Sequence, residues 1–108
     1  MRLALAEQTG VRYVEAELHR LKGELLLQHP DQEAEAEQCF RTAIAVARRQ
    51  RAMSFELRAA IGLAHLLKRQ GVTAEAREML AEIYNWFTEG FDTADLKDAK
   101  ALLDELGN

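Results

Sequence analysis

Residues 17–27 read ELHRLKGELLL, and residues 56–67 read ELRAAIGLAHLL. Both runs are built from good helix formers, and both are interrupted by one glycine at the same distance from the opening glutamate: Gly23 and Gly62. In a helix interior a glycine costs about 1 kcal/mol relative to alanine. Two such interruptions in the same place call for a packing reason. The expected one is a helix crossing. On this reading Gly23 and Gly62 lie on the first helices of two hairpins and are expected to face small residues, Ala36 and Ala76, on the second helices, which would let the backbones approach.

The glycines belong to a wider pattern. Shifting the chain by 39 aligns Ala4 with Ala43, Ala6 with Ala45, Arg12 with Arg51, Glu17 with Glu56, Leu18 with Leu57 and Gly23 with Gly62. Leu57 then meets Leu96, and Gly62 meets Ala101. A shift of 40 aligns Glu35-Ala36 with Glu75-Ala76, Phe40 with Leu80, Ala43 with Ile83 and Ala47 with Phe87. The apolar sets 36, 40, 43, 47 and 76, 80, 83, 87 step by 4, 3 and 4, and the sets 57, 60, 64, 67 and 96, 99, 103, 106 step by 3, 4 and 3. Each set is one face of a helix. Self-similarity at such a period is the mark of a repeat architecture.

Cap residues set the boundaries. Asp31, Ser54, Thr73 and Thr93 can accept from the first backbone amides of a helix, and Gly10 and Gly71 suit helix ends. The expected segments are 1–8, 11–28, 32–51, 54–70, 74–88 and 94–106. The short connections make neighbouring helices antiparallel. The expected fold is all-α: one domain over 1–108, a right-handed α-solenoid of helical hairpins. Residues 1–8 are a partial repeat, 11–51 and 54–88 are repeats, and 94–106 is a capping helix.

Composition agrees with this reading. The chain has 108 residues, 48% hydrophobic and 30% charged, with a single proline, Pro30, and six glycines. That is too few turn residues for an all-β protein. No apolar run reaches the roughly 18 residues that span a bilayer, and the N-terminus has no signal-peptide pattern. The single cysteine, Cys39, excludes an internal disulfide and suits a reducing cytoplasm. Residues 1–88 hold 12 acids and 12 bases, so the net charge of −4 arises from the last twenty residues. Such a balance gives no general attraction to nucleic acid or anionic membrane.

Glycine, then alanine, an aromatic or leucine, and alanine at fixed steps resembles the tetratricopeptide repeat: Gly23, Ala36, Phe40 and Ala43, then Gly62, Ala76, Leu80 and Ile83. The period of 39–40 is longer than that family's 34, the helix-ending proline is missing, and the usual first-helix aromatics are missing too. Nearly the whole chain, and above all YNWFTEGFDTADLKDAKALLDEL, looks like the tetratricopeptide-like tail of large bacterial regulators. Those proteins join a class III adenylate-cyclase or winged-helix domain to a STAND-type ATPase. The resemblance implies a regulatory scaffold and transfers no cyclase or ATPase activity. Met1 aligns with Phe40, half-way along a second helix, as in a piece of a longer array, whereas Trp86, Phe87 and Phe91 before a leucine-lined last helix read as a terminal cap.

The candidate sites are few. His19, His29 and His65 stand neither three nor four apart, and Cys39 is not spaced with them, so no metal ligand set, cofactor site or catalytic set emerges. Cys39 beside Phe40 reads as a buried, inert thiol. The band Arg41, Arg48, Arg49, Arg51, Arg58, Lys68 and Arg69 reads as a solvated face partly neutralised by Glu33, Glu35 and Glu37; without interleaved aromatics it does not read as a single-strand binder. By the repeat register the concave face displays Glu17, Arg20, Glu24 and Gln28, then Glu56, Ala59, Leu63 and Leu66. The expected function is therefore non-catalytic. The partner is a protein or peptide, or other domains of a parent chain, bound on that face. The alternative is self-association into homo-oligomers through an exposed N-terminal repeat face.

Overall fold

A computed structural model describes residues 14–87 and 94–107. Among them every regular element is helical: α1 Val14–Leu26, α2 Glu33–Arg49, α3 Met53–Arg69, α4 Thr73–Phe87 and α5 Ala94–Gly107, with a 3-10 turn at Pro30–Gln32 before α2. The expected segment 1–8, the Gly10 stop, the Thr93 cap and the side chains of Trp86, Phe87 and Phe91 lie outside the described residues.

Local signals explain most boundaries. Glu15 and Glu17 open α1, Glu33 and Glu35 open α2, and Arg48, Arg49, Lys68 and Arg69 close α2 and α3, each charge complementing the helix dipole. Gly71 takes φ +81° after α3. Its N–H donates to the Lys68 carbonyl at 3.0 Å and that of Val72 to the Leu67 carbonyl at 2.9 Å, the paired bonds of a Schellman stop. The end of α2 makes the same pair with no glycine. Arg51 sits at φ 56°, its N–H donates to the Arg48 carbonyl at 3.1 Å, and that of Ala52 to the Ala47 carbonyl at 2.8 Å.

The helix starts depart from the expected caps. Asp31 lies inside the 3-10 turn, and the cap position of α2 is held by Gln32 without a side-chain hydrogen bond. Ser54 falls inside α3, whose cap position is Ala52. Thr73 is the first residue of α4 rather than the residue before it.

Consecutive helices pack on one another, and α3 also touches α1 and α5. The helix in the middle of the chain is thus in contact with all four others. Its side chains follow: Leu57, Ala59, Ala60, Gly62, Leu63, Ala64, Leu66 and Leu67 are buried, leaving a narrow solvent strip of Arg58, Ile61, His65 and Lys68. The stripes read from spacing turn inward. Ala36, Phe40, Ala43 and Ala47 are buried, as are Ala76, Leu80 and Ile83, and Leu96, Ala99 and Leu106 on α5. On α5 the third position of the expected stripe, Leu103, is only half-buried, and the neighbouring Leu102 is buried instead.

The two interior glycines have a different neighbour from the one expected. A Cβ built on Gly23 would stand 3.0 Å from the Phe40 ring, and one on Gly62 would stand 2.5 Å from it. The nearest atoms at both sites belong to this ring, not to Ala36 or Ala76. Phe40 is fully buried, and α1 and α3 each present a glycine to its ring. The glycines make room for an aromatic side chain rather than for a bare backbone crossing.

Candidate functional site

The first part of the site is an uncovered apolar face. On α1, Ala16 and Gly23 are buried, whereas Val14, Leu18, Leu21 and Leu25 are exposed, Leu18 by 60% and Leu25 by 62%. Their spacing of 4, 3 and 4 places all four on one stripe, opposite the buried pair. On α3 the residues aligned with three of them by the 39-residue shift, Leu57, Ala60 and Ala64, are buried. The same register thus gives core on one helix and open surface on the other.

Beside this stripe runs a charged seam between α1 and α3. Arg20 donates from Nε to both oxygens of Glu17 at 2.9 and 3.0 Å. Arg58 of α3 reaches the same carboxylate at 3.4 Å, and Arg20 lies 3.6 Å from Glu24. Arg58 also lies over the Phe55 ring, 5.6 Å from its centre. At the α2–α3 connection the Glu56 side chain is buried, and Arg48 donates to its Oε2 from Nε at 2.8 Å and from a terminal nitrogen at 2.7 Å.

A shallow hollow on the other flank of α3 is lined by Ile61, His65, Asp98, Ala101, Leu102 and Glu105. Lys68 pairs with Glu105 at its edge. The hydrogen bond from Lys68, then its charge, holds the Glu105 carboxyl below its ordinary pKa, and His65 adds to this. Among the described residues no group of three His, Cys, Asp or Glu is placed to hold a metal ion, and no helix is long and apolar enough to cross a membrane.

The residues expected to form one concave face do not share one. Glu17, Arg20 and Glu24 do lie together, linked to one another on α1, and Gln28 is exposed past the end of that helix. Ala59, Leu63 and Leu66 are fully buried, and Glu56 is buried against Arg48. These four sit inside the packing of α3 and are closed to a partner. The open line on α3 is Arg58, Ile61, His65 and Lys68 instead. Its step of 3, 4 and 3 was present in the sequence, with three of the four residues polar.

The basic band is largely neutralised. Arg41 bonds Glu37 at 2.9 Å and Glu75 of α4 at 3.1 Å. Partial burial acts to lower its pKa, but the bonds and charge of the two glutamates outweigh this and raise it. Arg69 donates to Glu33 at 2.9 Å, while Arg48, Arg58 and Lys68 hold the acids already described. Cys39 is buried as a free thiol. His19 is half-buried, and His29 and His65 are exposed, on separate elements. No protein-family model, curated protein or solved structure matches the chain.

Proposed function

We propose that this chain is a protein-interaction module that presents α1 as its contact surface. We further propose that it is a tetratricopeptide-like stretch, a right-handed solenoid of hairpins from the C-terminal region of a larger bacterial signalling or transcription-regulating ATPase acting in the cytoplasm. One observation carries the interaction reading: the stripe Val14, Leu18, Leu21 and Leu25 is open although the aligned face of α3 is core. In a repeat array each unit buries its apolar face on a neighbour, and a contiguous exposed apolar patch on a soluble protein marks an interaction site.

The charged groups support binding over chemistry. Glu17 pairs with Arg20 and Arg58, and Glu56 separately with Arg48, and both pairings stiffen the frame beside the stripe. The repeat reading is supported by the helix lengths, by the contact of α3 with α1 and α5, and by the burial of the aligned stripes. The parent-protein reading is supported by the residues of the C-terminal segment named above.

The test is affinity capture with the chain and with Leu18→Glu/Leu21→Glu, whose fold is checked by circular dichroism. A stoichiometric protein partner, whether another polypeptide or a second copy, is retained by the parent and lost by the variant. Equal capture by both overturns α1 as the contact surface.

A further inference from the structure

We infer that the occupant of the α1 stripe is α1 of a second copy of this chain, packed in parallel; this rests on the reading of that stripe as a contact surface. Written as heptads, α1 has Leu18 and Leu25 at a, and Val14 and Leu21 at d. The buried Ala16 and Gly23 then fall at f, directly opposite the seam. The described body of each copy therefore lies behind its own α1, on the side away from the stripe.

The flanking charges choose the partner and its direction. Glu15 and Lys22 occupy e, and Glu17 and Glu24 occupy g. In a parallel pair each g side chain faces the following e side chain across the seam. Glu17 then meets Lys22 of the second copy, and by symmetry the contact occurs twice. In an antiparallel pair g faces g and e faces e. Glu15 would find Lys22, but Glu17 would face Glu24, a like-charge contact that also occurs twice. Glu17 is bound within its own chain by Arg20 and Arg58, and its side chain is 16% exposed, so the cross-seam contact with Lys22 adds to a carboxylate already held in place. Lys22 is exposed and projects from the other edge.

The seam spans three helical turns, about 16 Å at 1.5 Å per residue. A contact this short forms a reversible dimer that dissociates on dilution. Sedimentation velocity over a wide concentration series reads this directly, with a monomer–dimer equilibrium expected for the parent chain. Leu21→Lys and Lys22→Glu each shift it to monomer, and far-ultraviolet circular dichroism confirms the fold of each variant.

Direction is read by a cysteine. In a Cys39→Ala background, Leu25→Cys forms an intermolecular disulfide under mild oxidation if the helices are parallel, since the two position-25 side chains are then opposite each other. In an antiparallel pair position 25 lies opposite Val14, and no disulfide forms. A parent chain that stays monomeric at the highest concentration overturns the inference, as does a dimer in which Leu25→Cys fails to cross-link. A monomer that still captures a different protein through Leu18 and Leu21 overturns only the second copy as occupant and leaves the interaction reading standing.

Discussion

The ring of Phe40 stands 2.5 Å from the place a Cβ on Gly62 would occupy. No folded protein keeps two carbons that close, so the ring or helix α3 must move when Gly62 becomes alanine. Phe40 is fully buried and has no free direction. Gly62→Ala is expected to destabilise by about 1–3 kcal/mol, the range for overpacking a tight core. At Gly23 the contact is 3.0 Å, and the gain in helix propensity of about 1 kcal/mol offsets much of the strain. Urea unfolding therefore ranks Gly62→Ala well below Gly23→Ala. If the ring is the obstacle, Phe40→Leu costs less in the Gly62→Ala background than in the parent; an equal cost in both would show that it is not.

The pairing of Arg48 with Glu56 gives a second test. Glu56 is 2% exposed, and both donated bonds fall on one oxygen. Removing Arg48 leaves a buried carboxylate short of a partner. Arg48→Ala is expected to cost roughly 1–3 kcal/mol, the desolvation range for a stranded polar group. Glu56→Gln in that background removes the charge and recovers part of the loss. Chemical denaturation of the two single variants and the double variant measures the coupling, and strict additivity would show that the pair is energetically idle.

Arg51 supplies a third. It holds the left-handed conformation at φ 56° that Gly71 holds at the end of the next helix. For an L-residue with a side chain this costs about 1–2 kcal/mol. Arg51→Gly is expected to raise stability by about 1 kcal/mol, and Gly71→Ala to lower it by a similar amount. Thermal melts of the two variants should move in opposite directions.

The fourth concerns pH. Lys68 lowers the pKa of Glu105 in the folded chain. A carboxyl depressed on folding favours the native state above its unfolded pKa, and that contribution disappears as pH falls through the folded value. Carboxyl chemical shifts should show Glu105 titrating below the ordinary glutamate range, and Lys68→Ala should return it upward. Because the Glu105 side chain is exposed, added salt should weaken the effect.

Much of the fold was legible because burial and helical period coincide. Phe40, Ala43 and Ala47, and Leu57, Ala60, Ala64 and Leu67, are core residues at the spacing that predicts them. Gly71 marked its stop because a left-handed position favours a residue without a side chain. Arg51 occupies an equal position with no such mark, so the end of α2 was placed late. The purpose of Gly23 and Gly62 was half legible: their scarcity signalled a close approach, but only the packed chain shows that one aromatic ring serves both.

The candidate face was less legible for a physical reason. Taking the register of α3 from the repeat assigned Leu63 and Leu66 to the open side, yet a helix that touches four neighbours has little open side to offer. Polarity alone would have marked it, since Arg58, His65 and Lys68 share one stripe. The exposed leucines of α1 could not be separated from core leucines by sequence, because both carry the same apolar period.

The central placement of α3 has a mechanical consequence. Glu17 of α1 holds it through Arg58 near its beginning, and Glu105 of α5 holds it through Lys68 near its end. The first and last described helices both touch this one directly, so a displacement of either can reach the other through one intervening rod. Stiffening or bending that rod is the shortest way for an event at one extremity of the molecule to be sensed at the other.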